Sequence, residues 1–400
     1  MKILQLTHKP PMPCIDGGCL AMNQITSSLL KTGVEVKVIS ITTKKHPVIF
    51  SEETTQFFNQ TKFQSVFINT KIKIGKIVLS FFNNSSIQSN RFYSKEMDNL
   101  LKTVLSEEKF DVVILESIFV GHYIETIRKY SKARIILRVH NIEHLIWERL
   151  SKKTKNPIKK IIYKYLSNSL KYYELSLFHK IDGYMPITEV DHQFFKEKFP
   201  NINSIVIPFA VDLSYYHYKE HKIDKNRITF FHIGSMNWQP NIEGMNWFLN
   251  NIWEKVAAKY PNIFLILAGK GNQKVFANKS YTNVQIFDFV EDAQQFMNDY
   301  DIMIVPLLSG SGMRIKIMEG MALGKPIITT TTGAEGIEIA DKENIFIADT
   351  VEEMVKSIEY CVHNSDVCEI VGKNARQLVE NRYHQEKITK DLMGFLLQKI

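Results

Sequence analysis

Long apolar runs are missing from this sequence. No stretch of about 18 apolar residues occurs, so no membrane-spanning helix is expected. The opening residues, MKILQLTHKP, hold too short an apolar run for a signal peptide. Cysteine is scarce. Cys14, Cys19, Cys361 and Cys368 form no C-x-x-C pair, and no histidine stands at zinc spacing. That argues against a disulfide framework or a structural zinc and fits a reducing compartment. The first glycine loop lacks the G-x-G-x-x-G of a dinucleotide site. There is no short internal repeat and no low-complexity tract. Together these absences predict a cytoplasmic protein, with peripheral contact at the inner face of a membrane left open.

What is present is enough for two or three domains: 400 residues, 44% of them hydrophobic. Charge is uneven. Residues 1–210 carry 30 Lys and Arg against 18 Asp and Glu, a net +12, whereas residues 211–400 carry 20 against 24, a net −4. One basic and one mildly acidic half suit two domains with different partners. A basic half faces nucleic acid, anionic lipid or a phosphorylated substrate, or is simply kept soluble by its lysines.

Along the chain, apolar runs alternate with helix-like stretches. Residues 3–6 read as a buried strand. A loop with Asp16-Gly17-Gly18 follows, then a helix from about Leu20 to Lys31 and a second strand at 34–41. Residues 43–95 are hard to read, apart from a strand-like piece at 65–68 and an apolar, lysine-bearing segment at 71–82. A helix is predicted over 93–106. Strands follow at 111–115, with Glu116 at the end, and at 134–139, before His140-Asn141-Ile142-Glu143. Ligands of open parallel sheets sit beyond the C-terminal strand ends, so Glu116, His140 and Glu143 fall where chemistry occurs. The bland alternative for a strand-end histidine is a structural hydrogen bond. Residues 151–166, SKKTKNPIKKIIYKYL, read as a basic amphipathic helix, either a membrane-surface element or a solvated face. The second half repeats the plan, with strands at 228–233, 263–267, 284–286 and 345–347.

Residues 302–337 carry the sharpest signal. An apolar run ends in Ser309-Gly310-Ser311-Gly312. A helix then places Arg314 and Lys316 in its first turn and Glu319 one turn on, before Gly324 and Pro326 stop it. Free backbone N–H groups beside two cations suit an anion, above all a phosphate. The alternative is a plain βαβ unit whose Lys316 pairs with Glu319 on one helix face. Asp299-Tyr300-Asp301 spells D-x-D, but it directly precedes a buried strand and reads as structural.

Several stretches together resemble the GT-B retaining glycosyltransferases of glycosyltransferase family 4 (glycosyl transferases group 1). They are Gly17-Gly18, the hinge Val206-Ile207-Pro208-Phe209-Ala210-Val211-Asp212, Phe231-His232-Ile233-Gly234-Ser235, Leu267-Ala268-Gly269-Lys270-Gly271, Val305-Pro306, and Met318-Glu319-Gly320-Met321-Ala322-Leu323-Gly324-Lys325-Pro326. The resemblance implies an α/β protein with two Rossmann-like domains facing a central cleft. It implies an N-terminal acceptor domain over 1–208, a nucleotide-sugar domain over 209–385, and a C-terminal helix at 386–400 packing back on the first domain. It assigns Glu319 to the donor ribose and His140 to the transferred sugar. The resemblance places the base at the loop of Phe289 and Val290, and Arg314 and Lys316, entering at one helix, are the expected compensation that neutralises the diphosphate together with the helix dipole. Gly17, Gly18, Gly234, Ser235, Ser311, Gly312 and Met313 belong to the donor site. Glu116, Asn141, Glu143 and Arg149 are acceptor-side candidates. The family's first glutamate falls on Ser311 here, and its usual Arg and Lys after the first strand of the second domain are replaced by Gly234-Ser235-Met236-Asn237-Trp238.

The implied activity is transfer of a sugar, with retention, from a UDP- or GDP-linked donor to a glycan or lipid-linked acceptor. The resemblance implies no metal and no cofactor, and nucleic acid is not an expected partner. Competing readings are a nucleotide-sugar epimerase, a sugar phosphorylase, and a degenerate glycan- or partner-binding module.

Overall fold

A computed structural model describes residues 1–71, 86–154, 156–220, 222–276, 279–310 and 312–398. The segment 71–82 lies almost wholly outside the described residues, as does Ser311. The chain divides into two units, Met1–Pro208 with Thr389–Ile400, and Phe209–Ile388.

The first unit is built on a parallel sheet of β1 (Lys2–Thr7), β2 (Glu35–Thr42), β3 (Gln64–Phe67), β4 (Val112–Glu116), β5 (Arg134–Val139), β6 (Gly183–Pro186) and β7 (Asn203–Ser204). Its order is β3-β2-β1-β4-β5-β6-β7. The second unit repeats this with β8 (Ile228–Ile233), β9 (Ile263–Ala268), β10 (Val284–Phe287), β11 (Ile302–Val305), β12 (Ile327–Thr329) and β13 (Phe346–Ile347), in the order β10-β9-β8-β11-β12-β13. Each is a doubly wound sheet whose strand order reverses beside the first strand, between β1 and β4 and between β8 and β11. The central strands read as near-continuous apolar runs because helices cover both faces; Val112, Val113, Ile114 and Leu115 are all buried.

Several sequence expectations need correction. Gly17 and Gly18 are not loop residues: the helix runs Gly17–Lys31, because the Asp16 side chain caps it by accepting from the Cys19 N–H. Residues 151–166 are not one helix. The helix Glu143–Lys153 ends and Pro157–Leu177 begins, since proline is tolerated only in a helix's first turn. The unread 43–95 region holds the helices Glu52–Gln60 and Ile87–Asn90 and strand β3. The last helix is Gln385–Leu397; residues from Thr389 onward group with the first unit, where Arg134 donates to the Leu396 carbonyl at 3.0 Å.

Candidate functional site

Each sheet brings polar residues to its own switch point, and the two constellations differ in chemistry. In the second unit, β8 ends in His232, Ile233 and Gly234, and β11 leads into the glycine turn. Gly310 and Gly312 hold φ of 114° and 83°, left-handed geometry that glycine adopts without strain. The turn delivers Arg314 as N-cap of the helix Ile315–Ala322. The Arg314 guanidinium is nearly buried and lies 5.4 Å from the Trp238 ring.

Lys316 turns away from Glu319. Its ammonium donates to Asn241 Oδ1 at 3.1 Å, and Asn241 in turn donates to the Ser235 carbonyl at 2.8 Å. Gly234 is where these groups converge. A Cβ there would sit 2.3 Å from Lys316 Nζ, 2.9 Å from Asn241 Nδ2 and 3.0 Å from His232 Nε2. His232 Nδ1–H donates to the Ile304 carbonyl at 2.8 Å, leaving its buried Nε2 without a hydrogen-bond partner among the described residues. Burial, with Arg314 adding to it and Glu319 opposing, pulls Lys316 down to about 7. Burial pushes Glu319 up, against the pull of Tyr216 and Lys316; Tyr216 O–H donates to its Oε1 at 2.8 Å. Phe289 is exposed in the loop after β10 and Val290 is half-buried beside it. Asp301, the second aspartate of the D-x-D, is buried and accepts from the Thr229 N–H at 2.7 Å and hydroxyl at 2.6 Å, which fits its structural reading.

In the first unit, Glu116 stands at the end of β4 with no exposed surface. Its Oε1 accepts from Gln5 Nε2 at 2.8 Å and its Oε2 from His140 Nε2 at 2.8 Å. Gln5 Oε1 accepts from the Thr26 hydroxyl at 2.5 Å. Arg138, also fully buried, brings its Nε to 3.6 Å from the same carboxylate. Full burial takes Glu116 out of reach of an acceptor and makes it the partner of His140. Asn141 donates weakly to Glu143 at 3.5 Å. Burial and the nearby Glu174 carboxylate push Glu143 up to about 7. Arg149 is exposed on the helix Glu143–Lys153.

Among the described residues, one group of donors could hold a metal: Asp16, Cys19 and His46, with ligand atoms within 4.8 Å of one another. The Lys9 ammonium already lies 2.6 Å from Asp16 Oδ1, and burial pushes the Cys19 thiol up to about 12. The cluster is chemically an ion pair that pins the start of the Gly17–Lys31 helix. As site residues, sequence reading passed over His8, Tyr216 and Asn241, and it named His232 only within the run Phe231-His232-Ile233-Gly234-Ser235. His8 and His232 were findable as polar residues at or beside strand ends; the other two come from segments with no local pattern.

Residues 227–364 match the family model Glycosyl transferases group 1. Over 97% of both chains the protein is 23% identical to an uncharacterized 44.6 kDa protein in the cps region of Klebsiella pneumoniae. It is 25% identical to an uncharacterized glycosyltransferase of Haemophilus influenzae over 64% of this chain and 70% of that one. Among solved structures, Anabaena HepE in complex with UDP and glucose aligns over 100% of both chains, with a TM-score of 0.66 and 14% identity. The resemblance read in the sequence is borne out: residues 227–364 match the group 1 glycosyltransferase family model, and the chain has the two-domain fold of the GT-B structures it aligns with.

Proposed function

We propose that the protein transfers a sugar, with retention of anomeric configuration, from a UDP- or GDP-linked donor to a glycan or lipid-linked acceptor. The observation that carries this reading is the convergence of Lys316, Asn241 and His232 on Gly234, beside the N-terminus of the Ile315–Ala322 helix. A diphosphate brought there meets an ammonium, an amide donor and the positive end of a helix dipole. Arg314 adds a second cation in the same turn. Departure of the nucleoside diphosphate leaves positive charge on the sugar and negative charge on phosphate, and donors already aimed at the phosphate lower that barrier without reorganising.

Glu319, steadied by Tyr216, accepts from the ribose hydroxyls, and the backbone around Phe289 and Val290 holds the base. His140 takes a hydroxyl of the transferred sugar. The cationic pair stands in for the Arg and Lys that the family places after β8. HepE, bound to UDP and glucose, supports a nucleotide-sugar donor.

Domain roles follow the two constellations, with the donor on 209–385 and the acceptor on 1–208. No described helix is long and apolar enough to cross a membrane. Ile158 and Ile161 are exposed beside Lys159, Lys160 and Lys164, a face suited to an anionic surface carrying a lipid-linked acceptor. A screen of UDP- and GDP-sugars tests the reading: one donor raises the melting temperature and slowly releases nucleoside diphosphate. A protein that no nucleotide stabilises and that releases nothing is a binding module.

A further inference from the structure

Two histidines, not one, stand at the switch point of the first sheet. His8 follows β1 directly, and its Nδ1 lies 2.8 Å from the backbone carbonyl of Glu116. A carbonyl only accepts, so Nδ1 carries the proton and Nε2 is bare. His140 is held the other way round. Its Nε2 meets the Glu116 carboxylate at 2.8 Å and must donate, leaving Nδ1 bare. One residue therefore fixes both rings in opposite tautomers, His8 through its main chain and His140 through its side chain. The rings stand edge to face with centroids 6.3 Å apart. Both are half-buried, and neither bare nitrogen has a hydrogen-bond partner among the described residues.

The backbone beside them is strained. Ser117, the residue after Glu116, holds φ 96° without being glycine, a cost that clusters at functional sites. Its peptide contains the Glu116 carbonyl that His8 engages. Phe92 and Phe119, stacked at 4.9 Å, flank His8 at 6.3 and 5.9 Å.

We infer that His8 and His140 form a paired acceptor site for hydroxyl groups of a sugar, with Glu116 as the positioning residue that sets both tautomers. Two bare imidazole nitrogens beside an aromatic wall offer acceptors and no cationic donor. That suits a polyhydroxylated ligand, whose hydroxyls donate, and disfavours an anion. The identity of the ligand as a sugar rests on the transferase reading above; the pairing of the rings does not. Both rings stay uncharged near neutrality. Burial, then Lys9 and His140, push His8 down to about 3 against the Glu116 carbonyl and Asp16. Burial lowers His140 with help from Arg138 and Lys9, against Glu116.

The test is long-range 1H–15N correlation on the full chain labelled in histidine, at pH 7. The expected spectrum shows two neutral rings of opposite tautomer, assigned through His8→Phe and His140→Phe. An imidazolium at either position, or the same tautomer at both, overturns the inference. The wild-type protein is then titrated with glucose, galactose, mannose and N-acetylglucosamine, and with deoxy forms of whichever binds. One sugar should shift both bare nitrogens, and removing a single hydroxyl should weaken binding at least fivefold. If no sugar in the panel moves either nitrogen, the pair is structural. Melting temperature with UDP and GDP is read on the same sample. Silence with sugars alongside nucleotide stabilisation sinks the pair and spares the transferase reading; the reverse pattern spares the pair and sinks that reading.

Discussion

The two units share one strand order and put polar residues at the same topological point, yet what they place there is opposite in character. The second unit gathers donors: the Lys316 ammonium, the Arg314 guanidinium and free N–H groups of a helix. The first gathers acceptors: bare ring nitrogens set by Glu116 through its main-chain carbonyl and its side chain, with the Arg138 guanidinium sealed in the core. A doubly wound sheet thus fixes where a ligand goes and leaves its chemistry to the loops. An anion suits one site and hydroxyls the other.

Substitutions that act on one constellation alone break or sharpen this contrast. The largest effect belongs to the first unit. Glu116→Leu leaves Arg138 buried without its counter-charge and should cost about 3–5 kcal/mol of unfolding free energy, read by urea titration. Adding Arg138→Met should recover most of that stability but not the turnover, because His140 remains unanchored. If the double variant regains both, Glu116 serves the core and not the site.

Next comes the second unit. Lys316→Met should weaken nucleoside-diphosphate binding by about 1.5–3 kcal/mol, the range for a charge-assisted hydrogen bond, with little change in hexose binding. Equal loss of both ligands would erase the distinction between the sites. Glu319→Gln separates the parts of the donor further. It should lower affinity for UDP or GDP by about tenfold, roughly 1.4 kcal/mol, and leave inorganic pyrophosphate binding unchanged.

The pH response differs between the units as well. With Lys316 near 7 in the folded chain and at 10.5 when unfolded, the unfolded state holds the extra proton between those values. Stability contributed through Lys316 therefore rises with pH from 7 to 10.5. Nucleotide affinity should fall over the start of the same window as the ammonium discharges, and Lys316→Met should flatten both. Glu143 runs the other way. Held near 7 folded against 4.5 unfolded, it makes stability fall as pH rises from 4.5 to 7, and Glu143→Gln should remove that slope. The smallest effect is expected from Tyr216→Phe, about 1 kcal/mol of nucleotide affinity for one neutral hydrogen bond lost.

Much of the cationic turn in the second unit was legible in the sequence because its signals are local. The run from Ser309 to Pro326 holds turn, cations, carboxylate and helix stop within 18 residues, each with a backbone reason to be there. The first sheet's strands were legible for the same reason, as apolar runs bounded by polar ends. What could not be read was pairing across distance. The alternative reading of the turn paired Lys316 with Glu319 one turn away. In the fold Lys316 reaches Asn241, 75 positions earlier in the chain, while Glu319 meets Tyr216. Glu116 was placed at the right strand end but given the wrong neighbour, since burial depends on β1 and β5 flanking it. His8 was passed over although it stands directly after β1, the same kind of strand end that drew attention to Glu116 and His140.

The central claim is that the cationic turn holds the diphosphate of a sugar donor. Nucleoside diphosphate released from UDP- and GDP-sugars, followed in parallel for the wild type and Lys316→Met, tests it directly. The account predicts release from one donor by the wild type and loss of at least tenfold in catalytic efficiency in the variant at pH 6.5, where the ammonium is charged. Equal release by both proteins, or no release from any donor, would contradict it.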